Sequence, residues 1–182
     1  MSYATQYTCD ENVTPRECDP CGDDFELGGV RHGALVREDF EFSDPRDPAE
    51  WQTGIAGGQI LMLSKIKGSC NGGEPKVIPG YGDQKEQVIG YDYTATLKDG
   101  AYKQNYPFWN TARKSKRWKL AYFTNTLVHI TDEVVTIKPK NPVEEGLDSI
   151  VEWTADVVWF QKELVSFHDA TGLSTILTCE NF

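Results

Sequence analysis

The 182-residue sequence has no apolar run approaching the ~20 residues that a membrane-spanning helix needs, which excludes a helical anchor within it. Residues 1–15 are polar and hold no short apolar stretch of the secretory type, so the expectation is a soluble protein made inside a cell. Catalytic signatures are missing too: neither GxSxG nor HExxH occurs, and neither GxxxxGK[ST] nor GxGxxG. The glycines at 72, 73, 80 and 82 are followed by no Lys-Ser/Thr pair, so they build no phosphate cradle. Histidine is scarce, at His32, His129 and His168, and His168-Asp169 alone resembles half of an acid–base pair. No enzyme is expected.

Basic surplus is also lacking. The net charge is −10, which makes free nucleic acid a poor partner, because phosphate binding needs a basic surface. The charge is uneven, however. Residues 1–50 carry 13 acids against 4 bases, whereas residues 98–131 carry 7 bases against Asp99. Patches of opposite sign on one molecule suit head-to-tail contact between copies, and they equally suit plain solvation.

Five cysteines, Cys9, Cys18, Cys21, Cys70 and Cys179, are an odd number and form no evident disulfide framework. Cys9, Cys18 and Cys21 are weak candidates for three zinc ligands, with a fourth from Cys70, Cys179 or His32. A closed zinc site takes four ligands and none of these fourths stands at a diagnostic spacing, so ordinary thiols are the favoured reading and no cofactor is expected.

What is present is a 39% hydrophobic, 12% aromatic composition, which is globular. The chain reads as one domain: an irregular, polar arm over 1–30, then a folded unit over 31–182. The strongest pattern is Ile150 to Phe167, where Val151, Trp153, Ala155, Val157 and Trp159 alternate with Glu152, Thr154 and Asp156. Period two means a strand with one dry face, expected as the long centre of an antiparallel sheet. Val88 to Lys98 alternates likewise. Shorter strands are expected around Ala34–Arg37, at Ile60–Ile66, at 118–123 paired with 126–131 as a hairpin, at Val134–Lys138, and at the edge over Ser174–Thr178. Asp47, Pro48 and Glu50 give a helix start with a capping box, the helix running from Pro48 to about Ala56. A second short helix is expected over Tyr106–Ser115, and a long Gly/Pro loop over 68–82. The sum is about seven strands and two helices: a mainly β chain, an antiparallel β-sandwich or barrel.

Glu152 and Asp156, four residues apart on one strand face, would stand roughly 13 Å apart, too far for a glycosidase carboxylate pair. The densest positive run, Arg113, Lys114, Lys116, Arg117 and Lys119, encloses Trp118. It is read as helix-end stabilisation plus contact with an acidic neighbour. Val158 and Phe160 break the wet face of their strand and suit an interface. The expected self-assembly surface is therefore Glu152, Asp156, Val158 and Phe160 together with Arg113, Lys114, Lys116 and Arg117.

Three stretches carry a family resemblance: DPAEWQ from Asp47 to Gln52, Gly90-Tyr91-Asp92 opening a strand, and Val134 to Trp159 with its turn NPVEEGLDS. Over roughly residues 30–167 the chain resembles bacteriophage tail tube (major tail) proteins, and more closely virion proteins of phages and prophages of Bacteroidetes hosts. The resemblance implies a homo-oligomeric ring, usually a hexamer, stacked into a tube that meets other tail proteins such as the tape measure. DNA would pass through an acidic lumen without specific binding, and no membrane is involved. The implied location is the virion tail, assembled in the host cytoplasm. The cysteine-rich 1–30 segment departs from what that family leads one to expect. The alternative is a capsid decoration protein or a carbohydrate-binding β-sandwich, offering Trp109, Trp118 or Tyr81 to a ligand.

Overall fold

A computed structural model describes residues 26–143 and 148–177. Among them are β1 (His32–Arg37), α1 (Pro48–Ala56), β2 (Ile60–Leu63), β3 (Ile66–Cys70), β4 (Glu74–Ile78), β5 (Gln87–Asp99) and α2 (Tyr106–Ala112). Then follow β6 (Trp118–Phe123), β7 (Leu127–Ile130), β8 (Thr136–Lys140), β9 (Trp153–Gln161), β10 (Ser166–Asp169) and a 3₁₀ turn over Thr171–Ile176. One sheet has the order β10-β7-β6-β1-β2; the other has β3-β5-β9-β8, with β4 also pairing β5. All the strand pairs are antiparallel. The arrangement is an open, sandwich-like pair of sheets, not a closed barrel.

Burial explains the layers. In β1, Leu35 joins a core with Leu120 and Tyr122 on its own sheet and Tyr93, Ala95, Leu97, Trp153, Val157 and Trp159 on the other. Its neighbours Ala34 and Val36 point the opposite way, into a second core with Ile60, Phe123 and Val128. Trp51 of α1 and Leu173 and Ile176 of the 3₁₀ turn close that second core. The centre of the β1 sheet is therefore dry on both faces, which is why β1 and β6 read as nearly continuous apolar runs, while β10 at its edge is exposed. The β5–β9 sheet is dry on one face only, and its strands alternate.

The helix start is where the sequence places it. Asp47 caps α1 by accepting from the Ala49 amide at 2.9 Å, and Pro48 occupies the first turn. Glu50 does not complete a capping box. Its carboxylate accepts from the Ser43 and Asp44 amides and so fastens the incoming loop instead.

Four expectations need correction. The stretch 150–167 is two strands in different sheets, not one. The chain turns after Gln161, whose side chain donates to the Glu163 carbonyl, and Val165 N donates to the Tyr93 hydroxyl. Ile60–Ile66 likewise splits at Ser64-Lys65. There Lys65 adopts a left-handed φ of 56° and passes the chain from the first sheet to the second. The 68–82 loop contains the end of β3 and all of β4. The 174–178 edge strand is not formed, because Leu173 and Ile176 are needed in the core beneath α1 and a 3₁₀ turn points both that way.

One polar residue holds α2 in place. Asp99 is buried at the end of β5 and accepts from Ala101 N at 2.9 Å, Asn105 Nδ2 at 2.6 Å and Trp109 Nε1 at 2.9 Å. Asp99→Ala leaves two side-chain donors without their acceptor. It is expected to cost about 3 kcal/mol in urea denaturation, against about 1 kcal/mol for Asn105→Ala. Equal costs for the two variants would show that Asp99 does not organise this corner.

Candidate functional site

The second sheet offers one uncovered face. Register puts Thr94, Thr96 and Lys98 of β5, Thr154, Asp156 and Val158 of β9, and Thr136 and Lys138 of β8 on the same side. Lys67 of β3 lies opposite Lys98 across the ladder, a like-charge pair that would repel. Glu152 resolves it, meeting Lys98 Nζ at 2.9 Å and Lys67 Nζ at 3.2 Å. Asp156 accepts from Lys140 Nζ at 2.6 Å and from Thr96 Oγ1 at 3.1 Å. These bonds, from Lys98 and from Lys140 foremost, hold the two carboxyls below the usual carboxylate range. Neither acid is therefore left waiting for a sister copy, and this face is not acidic. Five lysines, Lys67, Lys76, Lys98, Lys138 and Lys140, stand against four acids, Glu74, Asp92, Glu152 and Asp156, on it.

Beyond one end of this face an arm carries exposed apolar residues on both of its sides. β4 and the start of β5 run on past the shared core as an arm, and all of β4 is exposed. Val77 is 48% exposed and Val88, its cross-strand partner, 52%. Ile78 and Ile89 are exposed as well, and Tyr81 at the tip is 90% exposed. Phe160 belongs to the same surface: its ring lies over Gly90, and Lys76 Nζ sits 5.5 Å from its centroid. A β-carbon at Gly90 would come within 2.4 Å of that ring, so only glycine admits the approach. Val158 is half-buried. Of the expected assembly residues, Val158 and Phe160 thus border the apolar arm, while Glu152 and Asp156 are spent on internal ion pairs.

Arg113, Lys114, Lys116 and Arg117 lie elsewhere, in the link between α2 and β6, and all four are exposed. Helix α2 ends at Ala112, so most of the run lies beyond the helix rather than in its last turn. Arg117 Nε donates to Glu38 Oε1 at 2.9 Å, and Arg113 Nε donates to the Asn110 carbonyl at 3.2 Å.

The other candidates separate. Cys9, Cys18, Cys21 and Cys179 fall outside the described residues. Cys70 is half-buried, with its thiol against the Tyr122 hydroxyl between the sheets. His32 shares a face with Phe123 on the opposite side of the β1 sheet, so it cannot join Cys70 at one metal. Among the described residues no three His, Cys, Asp or Glu side chains are grouped to hold a metal ion, and no helix is long and apolar enough to cross a membrane. Asp169 accepts from the Thr171 amide and hydroxyl at the start of the 3₁₀ turn. Trp109, offered as a ligand platform, is 1% exposed and its indole is tied to Asp99. Comparison with protein-family models, curated proteins and solved structures returned no match.

Two histidines carry a pH signature. His129 stacks on Tyr122 with ring centroids 4.7 Å apart and meets Phe167 at 5.8 Å, while its Nδ1 is buried without a hydrogen-bond partner among the described residues. His32 Nδ1 is placed the same way. Burial lowers both pKa values; Arg31 adds to this at His32, and Glu26 opposes it at His129. The unfolded chain therefore binds more protons than the folded one near the ordinary histidine pKa. Stability is complete above about pH 6.5 and falls as pH drops through it. Urea midpoints measured from pH 7.5 to 5 should decline, and His129→Phe, which keeps the ring stack, should flatten the slope. A wild-type midpoint independent of pH across that range would contradict this assignment.

Proposed function

We propose that this chain is a structural subunit that assembles with copies of itself, in the manner of a phage tail tube protein. The observation that carries the reading is the β4–β5 arm. It places Val77, Ile78, Val88 and Ile89 in water beyond the core, at a cost of about 25 cal/mol per Å² of apolar surface left uncovered. A hairpin of that kind has a physical reason to exist when another subunit covers it.

The uncovered face of the second sheet supports the same reading. The centre of the β1 sheet has no face to offer, since helix and turn cover one side and the partner sheet the other; only its β10 edge is exposed. A tube lumen would therefore be lined by the threonines and balanced ion pairs of β5, β8 and β9. Such a face neither grips duplex phosphate through a basic surface nor repels it strongly, which suits passage without specific binding. The acidic lumen implied by the resemblance is replaced here by a near-neutral, slightly basic one. Hexameric stacking, contact with a tape measure protein and a place in the virion tail belong to the proposal. Of the three aromatics of the glycan-binding alternative, Trp109 is in the core, Trp118 is half-buried and Tyr81 is exposed.

Purified protein at high concentration is expected to form rings or short tubes about 10 nm wide in negative stain, a scale set by a few packed domains. Val77→Asp with Ile89→Asp should abolish them while leaving thermal unfolding within a few degrees of wild type, since both side chains are exposed. Rings that persist in the double variant, or a wild-type chain that sediments as a monomer at every concentration, would sink the reading.

A further inference from the structure

The loop that follows β5 borders a recess that the tube reading leaves unassigned. Its volume is about 610 Å³, and Ala101, Tyr102, Lys103, Gln104, Val143 and Val151 line it. The loop is held firmly. Ala101 N donates to Asp99, the Tyr102 carbonyl accepts from Trp153 Nε1 at 2.8 Å, and the Tyr102 ring stacks on Trp153 at 5.2 Å. Val143 and the neighbouring Ile150 leave apolar surface exposed beside the opening. Lys103 is exposed and makes no ion pair among the described residues. Mainly apolar walls with one free cation call for an apolar ring carried beside a carboxylate.

That combination stands at the other end of the same strand. Tyr81, the most exposed of the large apolar side chains at 90%, projects from the tip of the β4–β5 arm. Its turn is closed by Gln84 N donating to the Tyr81 carbonyl at 3.2 Å, with Gly82 at a φ of 63°. Asp83 and Glu86 stand beside it against Lys85, and neither acid is paired among the described residues. β5 is 13 residues long, so tip and recess are separated by about 40 Å of strand and cannot meet within one chain. A surface and its complement at opposite ends of one molecule make a head-to-tail contact, which repeats along a line unless rotation closes it.

We propose that the recess after β5 receives the arm tip of a second copy, the Tyr81 ring entering against Tyr102, Val143 and Val151 while Asp83 or Glu86 meets Lys103. Tyrosine suits such a seat, since its ring is buried while its hydroxyl keeps a polar contact. This rests on the self-assembly reading and names the surface that takes the arm tip. Repeated along β5, the contact supplies the axial step from one ring to the next.

The test is photo-crosslinking from the tip. The full chain carries p-benzoylphenylalanine at position 81, ordinary and 15N-labelled protein are mixed equally, and crosslinked peptides are read by mass spectrometry. The expected links join position 81 to peptides holding residues 101–104, 143 or 151, about half of them between isotopically different copies, as random pairing in an equal mixture requires. In sedimentation, Tyr81→Ala should raise the self-association Kd at least about tenfold, the loss typical of a tyrosine anchor. Lys103→Glu and D83K/E86K should each weaken association about threefold or more, and K103E/D83K/E86K should recover much of that loss by exchanging the charges. All these side chains are exposed, so thermal unfolding should stay close to wild type. Links to a different surface of a second copy, with assembly intact, would overturn this inference and leave the self-assembly reading standing. Unchanged affinity in both Tyr81→Ala and Lys103→Glu would do the same. A wild-type chain that stays monomeric at every concentration would overturn both.

Discussion

The fold is organised by the centre of the β1 sheet, strands β1 and β6, being dry on both sides. Leu35, Leu120 and Tyr122 face one core, and Ala34, Val36, Ala121 and Phe123 the other. A sheet in that position needs two covers. The second sheet supplies one, using Tyr93, Ala95, Leu97, Trp153, Val157 and Trp159. The other comes from α1 and the 3₁₀ turn, with Trp51 packed against Phe123 at a centroid distance of 5.5 Å. Removing Trp51 would open a hole of a whole indole between helix and sheet, the kind of truncation that costs about 3–5 kcal/mol.

That demand assigns the remaining surfaces. Once the centre of the β1 sheet is enclosed, the second sheet keeps a broad wet face, and its polar residues neutralise one another across strands. Glu152 between Lys67 and Lys98, and Asp156 between Lys140 and Thr96, turn a row of charges into a nearly neutral pattern. Such exposed pairs contribute little stability. Their larger effect is to set the sign of the surface that a neighbour or a polyanion would meet. The β4–β5 arm, which has left the core behind, carries a contiguous set of exposed apolar side chains, Val77, Ile78, Val88 and Ile89.

The sequence was most legible where a strand has one wet face. The alternation in Val88–Lys98 and in Trp153–Trp159 marks the inward residues, because period two is a local property of an extended backbone. The α1 start was legible for a similar reason: Asp47 and Pro48 act within two residues of each other. The surroundings of the residues expected on an assembly surface were half legible. Phe160 stood out as an apolar side chain on a polar face, and the structure does place it beside exposed arm residues. Glu152 and Asp156 looked available only because their lysine partners lie on other strands, between 16 and 85 residues away in sequence. The arm itself was hidden in a Gly/Pro-rich stretch whose strand pairing depends on β5.

Local sequence thus determined which segments extend, which face of β5 and β9 is apolar, and where α1 begins, since these depend on side chains a few residues apart. Tertiary structure decided where strands change sheets. Ser64-Lys65 and Lys162–Val165 lie in stretches of ordinary strand-like composition, and the chain turns there because each sheet has room for only part of the run. It also decided that Trp109 is core, that Leu173 and Ile176 form a turn rather than an edge strand, and that Glu50 fastens a loop. In each case a buried surface or a distant amide outweighed the local preference, because covering the β1 sheet is worth more than any single strand or capping tendency.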